Sequence, residues 1–431
     1  MPLYRLDSSD GDFAARFEDL LGSKREASQE VGDAVAAIIA AVADRGDGAL
    51  IDYTARFDRL TLTPEGLRFS AAEIAEAGRA VPQAVTDALR FAHDRIRAHH
   101  EKQKPSDHVY EDALGVTLGT LWSPVESVGL YVPGGTAAYP SSVLMNAVPA
   151  KVAGVERIAM VVPTPDGVVN PTVLAAASIA GITEIYRVGG AQAVAALAYG
   201  TQTIAPVAKI VGPGNAYVAA AKRQVFGRVG IDMIAGPSEV LVIADRSANP
   251  AWIAADLLAQ AEHGGGAQSI LLTTDSGIAE ASIAEVERQL ALLPRRDIAA
   301  AGWAEFGAVI TVSSMDEAIA LANRIASEHL ELMVDRPRDL LPLIRNAGAI
   351  FLGHHTPEAI GDYVGGSNHV LPTARSARFA SGLGVLDFMK RTSLLGCDPG
   401  SLAALADAAV TLAGTEGLDA HGRSVSIRLN R

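Results

Sequence analysis

The chain has 431 residues, 49% hydrophobic and 20% charged, with 41 glycines and 21 prolines, so it is an ordinary globular protein and not a disordered or collagen-like one. Its 36 Lys and Arg residues against 49 Asp and Glu residues give a formal net charge of −13, which argues against a nucleic-acid partner. The single cysteine, Cys397, excludes an intrachain disulfide framework and a metal site built wholly from thiolates.

The ends and the apolar stretches of the sequence predict a cytoplasmic protein without a membrane segment. The amino terminus becomes charged at Arg5 and lacks the apolar core of an export signal. The longest uncharged stretch, residues 188–208, is interrupted by a glycine pair, two glutamines and a proline. We therefore interpret it as a loop, a buried helix and a second loop.

After a helical lead-in at about residues 27–108, β-branched runs alternate with Ala-rich stretches, which predicts two α/β blocks with mostly parallel sheets. The predicted strands are Ser127–Val132, Arg157–Val162, Glu184–Val188, Lys209–Val211, Val240–Ala244, Ser269–Thr273, Ala308–Val312, Leu330–Val334 and Ala349–Leu352. The predicted helices lie near Ser142–Val152, Pro171–Ala180, Ala191–Tyr199, Ala216–Val225, Pro250–Glu262, Ile278–Leu293, Met315–Ser327 and Arg338–Asn346.

The regular alternation stops after Leu352. Residues 353–384 are rich in Gly, His, Ser and Pro, which predicts a long irregular segment of the kind that is often functional. A last helix at about Ser401–Leu412 and a short strand at Ser424–Arg428 are predicted to close the chain.

Glycine-rich turns follow several predicted strands. The nearest match to the dinucleotide fingerprint Gly-x-Gly-x-x-Gly is residues 212–217, which lack the third glycine. Similar turns occur at residues 133–136, 189–192 and 236–239. For each turn alone a purely structural role is favoured, whereas four of them together favour a cofactor crevice where helix N-termini attract anions.

Polar residues at helix ends and in the irregular segment are candidates for a metal site. Gln260 and His263 share one helix face and could hold one ion, but a solvated helix end, with a histidine favoured by the helix dipole, is the preferred interpretation of these two residues alone. Asp362 and His369 lie in the irregular segment, where packing does not explain them. His421 follows the last helix and is also compatible with a surface histidine. The histidines at positions 93, 99, 100 and 108 are interpreted as solvated surface.

Two further candidates have arguments against them. Glu328 and His329 precede a predicted strand, at the edge opposite the usual crevice of a parallel sheet, which counts against catalysis. Cys397 could act as a thiol nucleophile on an aldehyde, but no histidine lies near it in sequence, so a structural thiol is favoured.

Ten ordered motifs give the chain a close resemblance to the histidinol dehydrogenase family over nearly its whole length. They occupy residues 130–135, 140–147, 188–192, 212–215, 231–240, 260–263, 327–331, 368–373, 387–392 and 416–421. The first of them reads Leu-Tyr-Val-Pro-Gly-Gly, and the last reads Glu-Gly-Leu-Asp-Ala-His.

The resemblance implies oxidation of L-histidinol to L-histidine through histidinaldehyde with two NAD⁺, as the last step of histidine biosynthesis. It implies an α/β fold of two incomplete Rossmann-like parallel-sheet domains with small N- and C-terminal segments, in an arm-exchanged homodimer with one Zn²⁺ per subunit. The implied domains are residues 1–22, 23–129 with 239–381, 130–238 and 382–431.

The resemblance also implies a role for each matching residue. His329 would be the general base, a neutral imidazole with an ordinary pKa near 6.5, and Glu328 would activate water. The implied cofactor residues are Tyr131, Gln192 and Asn215. The implied zinc ligands are Gln260, His263, Asp362 and, from the partner subunit, His421. The implied substrate contacts are Ser238, Gln260, His263, His329, Asp362, His369, Glu416 and His421.

Two other functions stay open at this point. One is an NAD-dependent dehydrogenase of the same fold that acts on another polar alcohol, such as a sulfonated diol. The other is a zinc hydrolase, in which a metal-bound water attacks an ester or amide.

Overall fold

The structure is a computed structural model that describes residues 4–22, 29–134, 139–234, 236–264 and 266–430. Its strands are β1 (Tyr4–Asp7), β2 (His108–Glu111), β3 (Thr117–Pro124), β4 (Ser127–Tyr131), β5 (Arg157–Val161), β6 (Glu184–Tyr186), β7 (Lys209–Val211), β8 (Gly230–Ile231), β9 (Glu239–Ala244), β10 (Gln268–Thr273), β11 (Ala308–Thr311), β12 (His329–Met333), β13 (Ala349–Leu352) and β14 (Met389–Gly396).

Its helices are α1 (Phe13–Gly22), α2 (Gln29–Arg45), α3 (Asp47–Asp58), α4 (Ala71–Ala80), α5 (Gln83–Glu101), α6 (Pro140–Ala153), α7 (Pro171–Ile179), α8 (Gly190–Tyr199), α9 (Ala216–Val225), α10 (Pro250–Ala261), α11 (Ser276–Leu290), α12 (Arg296–Phe306), α13 (Met315–Ile325), α14 (Pro337–Leu340), α15 (Glu358–Tyr363), α16 (Pro399–Thr415) and α17 (Asp419–Ser426). Within the described ranges, no helix is both long and apolar enough to cross a membrane. Residues 27 and 28 of the predicted lead-in and residues 135 and 136 of one predicted turn lie outside these ranges.

Six parallel strands form the larger sheet, in the order β1-β11-β10-β9-β12-β13. Strands β9 and β10 are buried at every position, as expected where helices cover both faces of a parallel sheet. The first residues of three neighbouring strands are nevertheless polar and buried: Glu239, Gln268 and His329. Because parallel strands begin at the same edge, these side chains lie along the amino edge of this sheet.

The second sheet has five parallel strands, in the order β6-β5-β4-β7-β8. The prediction of two parallel-sheet α/β blocks is therefore confirmed. Helices α2 and α3 pack against α8, α2 also packs against α9, and α4 and α5 pack against α7 and α6. The four lead-in helices thus pack on the helices that belong to the second sheet. The division of the chain into domains stays a prediction.

A third, antiparallel sheet of order β14-β3-β2 brings the carboxyl-terminal part of the chain against residues 108–124. The sequence pattern does not predict these strands because their side chains are exposed or only half-buried, so they lack a clear apolar alternation. Helices α16 and α17 follow this sheet and pack on each other.

Three predictions of secondary structure or solvent exposure are wrong. Residues 424–428, predicted as a strand, belong to α17 and a 3₁₀ turn, because β-branched residues favour a strand only where a partner strand is available. The helix predicted near Arg338–Asn346 is only the short α14 and a 3₁₀ turn around Pro342, whose ring interrupts helical hydrogen bonding. His100, predicted to be solvated, is fully buried, and its Nδ1 donates to the carbonyl oxygen of Ile96 at 2.8 Å.

Candidate active site

His329 opens β12 at the amino edge of the six-stranded sheet and is 3% exposed. Its Nδ1 lies 3.0 Å from the carbonyl oxygen of Glu239, so Nδ1 carries the proton and donates it. Its Nε2 has no hydrogen-bond partner among the described residues. Burial lowers the pKa of His329 to about 3, well below the 6.5 expected from the sequence. The imidazole is therefore neutral at physiological pH and keeps an open lone pair on Nε2, although its basicity is reduced.

Glu328 is held against the same neighbouring strand as His329. Its Oε2 accepts the backbone N–H of Glu239 at 2.9 Å, while His329 donates to the carbonyl oxygen of that same residue. This pair of bonds fixes both side chains relative to β9. The polar residues of this sheet therefore gather at its amino edge, contrary to the expectation that the opposite edge forms the crevice.

Buried carboxyl groups surround the imidazole. Glu358 Oε1 lies 3.5 Å from His329 Nδ1, and Asp362 Oδ1 lies 3.9 Å from His329 Nε2. Glu331 Oε1 accepts the backbone N–H of Glu358 at 2.7 Å. Burial raises the pKa of Asp362 to about 6 and raises the pKa of Glu358 well above its ordinary value. Burial and the neighbouring Asp256 carboxylate together also raise the pKa of Glu331 well above its ordinary value.

Glu331 and Glu358 are not among the site residues predicted from the sequence. A signal for both was present, because residues two apart share one face of a strand and residues four apart share one face of a helix. Glu331 follows His329 by two positions in β12, and Glu358 precedes Asp362 by four positions in α15. Each missed glutamate is thus the same-face neighbour of a residue that was selected.

Two of the predicted zinc ligands lie on adjacent helices, and a third, His263, lies in the turn that follows the first of these helices. Gln260 is fully buried, its Oε1 has no hydrogen-bond partner in the described part of the chain, and its Nε2 lies 3.1 Å from His263 Nδ1. Helix α10, which carries Gln260, packs against α15, which carries Asp362. An imidazole and a buried carboxylate are ordinary zinc ligands, and an orphaned amide oxygen, although a rare ligand, offers a lone pair to a cation. The residues present therefore fit the implied metal.

A second group of side chains that could hold a metal ion overlaps this set. Ligand atoms of His329, Glu358 and Asp362 lie within 4.8 Å of one another. An ion that used Nε2 of His329 would occupy the lone pair that a general base requires. The set that contains Gln260 and His263 leaves that lone pair available, so it is the one compatible with base catalysis.

His369 is held from two sides. Its Nδ1 donates to the carbonyl oxygen of Asp362 at 3.0 Å, and its Nε2 lies 3.2 Å from the hydroxyl oxygen of Ser142 on α6. Burial lowers the pKa of His369 to about 4, so this imidazole is also neutral. Ser142 lies within the motif of residues 140–147, but the sequence predicted no role for it. Ser238 precedes β9, and its carbonyl oxygen accepts the backbone N–H of Gln268 at 3.0 Å.

The predicted cofactor residues lie at the carboxyl edge of the five-stranded sheet. The Tyr131 hydroxyl accepts the backbone N–H of Gly190 at 3.0 Å, and burial raises the pKa of Tyr131 to about 12. Gln192 is 1% exposed and lies in the first turn of α8. Asn215 is exposed and caps α9, where its Oδ1 accepts the backbone N–H of Tyr217 at 3.1 Å. Tyr131 thus supports the turn at Gly190, Gln192 is buried with an Oε1 that has no hydrogen-bond partner among the described residues, and Asn215 faces outward.

The remaining candidates lie on the carboxyl-terminal part of the chain. Glu416 and His421 are both exposed, on or beside the α16–α17 pair. Cys397 is an exposed free thiol between β14 and α16.

Comparisons with known proteins agree on one family. The family model described as histidinol dehydrogenase matches residues 22–429. A histidinol dehydrogenase from Nitrobacter winogradskyi is 66% identical over 430 residues, with 100% of both chains covered. One from Rhodopseudomonas palustris is 65% identical over 435 residues, again with 100% of both chains covered. A crystal structure of histidinol dehydrogenase from Elizabethkingia anophelis superposes with a TM-score of 0.95 at 37% identity, covering 99% of this chain and 98% of that one. These matches support histidinol oxidation over a dehydrogenase of another polar alcohol and over a zinc hydrolase, and the chain belongs to the histidinol dehydrogenase family.

Proposed function

We propose that this chain catalyses the NAD⁺-dependent oxidation of L-histidinol through histidinaldehyde to L-histidine, as the last step of histidine biosynthesis. Family membership supports the substrate and the overall reaction. Within the structure, the observation that supports it best is His329, a buried neutral imidazole whose Nε2 is open and whose other nitrogen is fixed by β9.

In the alcohol step, Nε2 of His329 accepts the hydroxyl proton as the hydride on the same carbon passes to NAD⁺. The pKa of this imidazole is about 3 in the protein without substrate, so proton transfer to it needs support. The carboxyl groups of Glu358 and Asp362, at 3.5 and 3.9 Å, stabilise the imidazolium as it forms when they are ionised.

In the aldehyde step, Glu328 removes a proton from the water that adds to the carbonyl carbon. As the water adds, Nε2 of His329 returns the proton that it accepted in the alcohol step to the carbonyl oxygen, which gives the neutral hydrate and a neutral imidazole. His329 then removes a hydroxyl proton from the hydrate as the hydride on the same carbon passes to the second NAD⁺. The backbone N–H of Glu239 holds Oε2 of Glu328 and thereby fixes the direction of this carboxylate. One carboxylate and one imidazole therefore serve two successive oxidations.

Zinc would be held by Gln260, His263 and Asp362 of one subunit and by His421 of the other. When bound, the ion would orient histidinol through its imidazole and amino nitrogens. The orphaned Oε1 of Gln260 and the buried carboxyl of Asp362 support this ligand set, since both groups lack a stabilising charge without a cation.

We propose that the exchange of carboxyl-terminal arms completes each site in a homodimer. Exposed apolar side chains on these arms support this: Leu412 is 62% exposed, Leu418 41% and Ile427 52%. A second subunit that covers them would also bring Glu416 and His421 to the other chain's substrate. The contacts of Ser238 and His369 with histidinol, those of Tyr131, Gln192 and Asn215 with NAD⁺, and a cytoplasmic location are part of the same proposal.

The decisive experiment follows NADH absorbance with histidinol as substrate. We expect two NADH per histidinol consumed, and accumulation of L-histidine. A sulfonated diol and an ester serve as control substrates for the two competing functions. Turnover of either control without turnover of histidinol would contradict the proposal.

A further inference from the structure

A buried ion pair lies beneath one turn of the five-stranded sheet. Lys222 of α9 and Asp232, which follows β8, are 2% and 1% exposed at their side chains. Burying two charges costs desolvation free energy, and apolar side chains of similar size often stabilise a protein as well or better. Stability alone is therefore a weak explanation for this pair.

Both members of the pair are bound to the same backbone residue, Gly212. The Lys222 ammonium donates to the carbonyl oxygen of Gly212 at 2.9 Å, and Oδ2 of Asp232 accepts the Gly212 N–H at 2.8 Å. Gly212 has a φ of +113°, and a Cβ there would lie 2.1 Å from the carbonyl oxygen of Tyr131. The ion pair thus fixes a conformation that only glycine adopts in this position.

Gly212 begins the turn of residues 212–215, which joins β7 to α9 at the carboxyl edge of the sheet. Within this turn, a Cβ at Gly214 would lie 2.4 Å from a methyl group of Val218. Asn215 closes the turn by capping α9. The outer residue, Asn215, is exposed, while the anchor that determines the path of the turn is buried.

We propose that Lys222 and Asp232 are positioning residues that hold the 212–215 turn in the shape that receives NAD⁺. This inference rests on the proposed NAD⁺ site at this edge of the sheet. The two charges cancel and are shielded from solvent, so the pair does not attract the cofactor by its charge. It acts through the backbone of Gly212, whose N–H and carbonyl oxygen it occupies together.

The substrate side of the site should be independent of this pair. Oδ1 of Asp232 accepts the backbone N–H of Met233 at 2.7 Å, and the chain then continues toward Ser238. That connection has anchors of its own, because the Gly236 N–H donates to the Thr373 hydroxyl and the Ser238 carbonyl oxygen accepts from β10. Loss of the pair should therefore weaken NAD⁺ binding more than histidinol binding.

The test replaces both charges at once, in Lys222→Met/Asp232→Leu, so that no unpaired buried charge is left. We expect the KM and the Kd for NAD⁺ to rise about tenfold or more and the KM for histidinol to change by less than about threefold. The Kd is measured by calorimetry with NAD⁺ alone, below the melting temperature of the variant. The matched control is Arg157→Met/Glu184→Leu, which removes a 2.8 Å ion pair at the opposite edge of the same sheet.

A wild-type Kd for NAD⁺ in the double variant would overturn the inference, and so would equal rises in both KM values or an equal effect in the control. If the double variant does not fold, Lys222→Met/Asp232→Asn leaves no unpaired charge, keeps an acceptor for the Gly212 N–H and removes the donor to the Gly212 carbonyl oxygen. A raised Kd in that variant supports the inference, and an unchanged Kd overturns it. Failure of the wild-type protein to reduce NAD⁺ with histidinol would instead refute the proposed function.

Discussion

Removal of one hydroxyl group, in Ser142→Ala, tests how His369 is held in the site. The Ser142 hydroxyl donates to Nε2 of His369 at 3.2 Å, and Nδ1 of the same ring donates to the Asp362 carbonyl oxygen. Ser142 is 3% exposed, so water does not readily replace the lost group. A hydrogen bond of this kind contributes about 1–1.5 kcal/mol, which corresponds to a loss of about 5- to 12-fold in kcat/KM for histidinol.

The assay compares kcat/KM for histidinol at saturating NAD⁺ with the KM for NAD⁺, which should stay unchanged. Ser282→Ala is the matched control, because Ser282 is equally buried in α11 and its hydroxyl has no hydrogen-bond partner among the described residues. We expect wild-type kinetics for the control. A Ser142→Ala protein with the kcat/KM of the control would show that this bond does not position His369 for the reaction.

Four further outcomes are expected. Glu328→Gln should slow aldehyde oxidation more than alcohol oxidation, whereas His329→Asn should slow both by about 100-fold or more. The two half-reactions are assayed separately, and equal losses in both for Glu328→Gln would contradict the role given to this carboxylate. A chelator should abolish turnover, and added Zn²⁺ should restore it. The circular dichroism spectrum should stay native without the metal, because large apolar clusters form the cores of both sheets. Full activity in protein that elemental analysis shows to be free of metal would exclude zinc. Asp362→Asn and His421→Asn subunits, inactive alone, should regain about a quarter of wild-type activity when refolded together, and no recovery in confirmed mixed dimers would place the site within one chain. Because the pKa of His369 is about 4 in the fold and 6.5 unfolded, its contribution to stability is complete above pH 6.5 and is lost as the pH falls through 4. His369→Asn should therefore reduce the acid-induced loss of stability in metal-free protein by up to about 3 kcal/mol, and unchanged melting curves between pH 6.5 and 4 would contradict this.

The parallel sheets could be predicted because their central strands are continuous apolar runs, as in β9 and β10. The antiparallel sheet could not, since β14 pairs with β3 across most of the chain length and neither strand is buried on a full face. Its formation depends on a long-range pairing that leaves no local periodicity. The same reason explains the false strand at residues 424–428, where β-branched residues have no partner strand and fold as a helix.

The predicted residues of the site came mainly from family resemblance, because the local sequence around them is ambiguous. From the sequence alone, Gln260 is interpreted as part of a solvated helix end. In the structure it is fully buried, and its Oε1 has no hydrogen-bond partner among the described residues. The low pKa of His329 likewise depends on burial by distant elements and could not be read from its neighbours in sequence. Ser142 was missed for a third reason, since its partner His369 is 227 positions away.

The proposed site would join the amino edge of one sheet to the carboxyl edge of the other, and buried hydrogen bonds connect the two parts. The Ser142 hydroxyl donates to Nε2 of His369, and the Asn368 amide donates to the Met145 carbonyl oxygen at 2.6 Å. Two adjacent residues of one loop, Asn368 and His369, are therefore hydrogen-bonded to the same helix, α6. Hydride transfer requires the substrate carbon and the nicotinamide ring to be in contact, and small displacements cost rate steeply. We therefore expect the hydrogen bonds between α6 and this loop to determine the distance from the substrate carbon to the nicotinamide ring more than the affinity for histidinol or for NAD⁺. This is why the Ser142→Ala effect is expected in the kcat/KM for histidinol and not in the KM for NAD⁺.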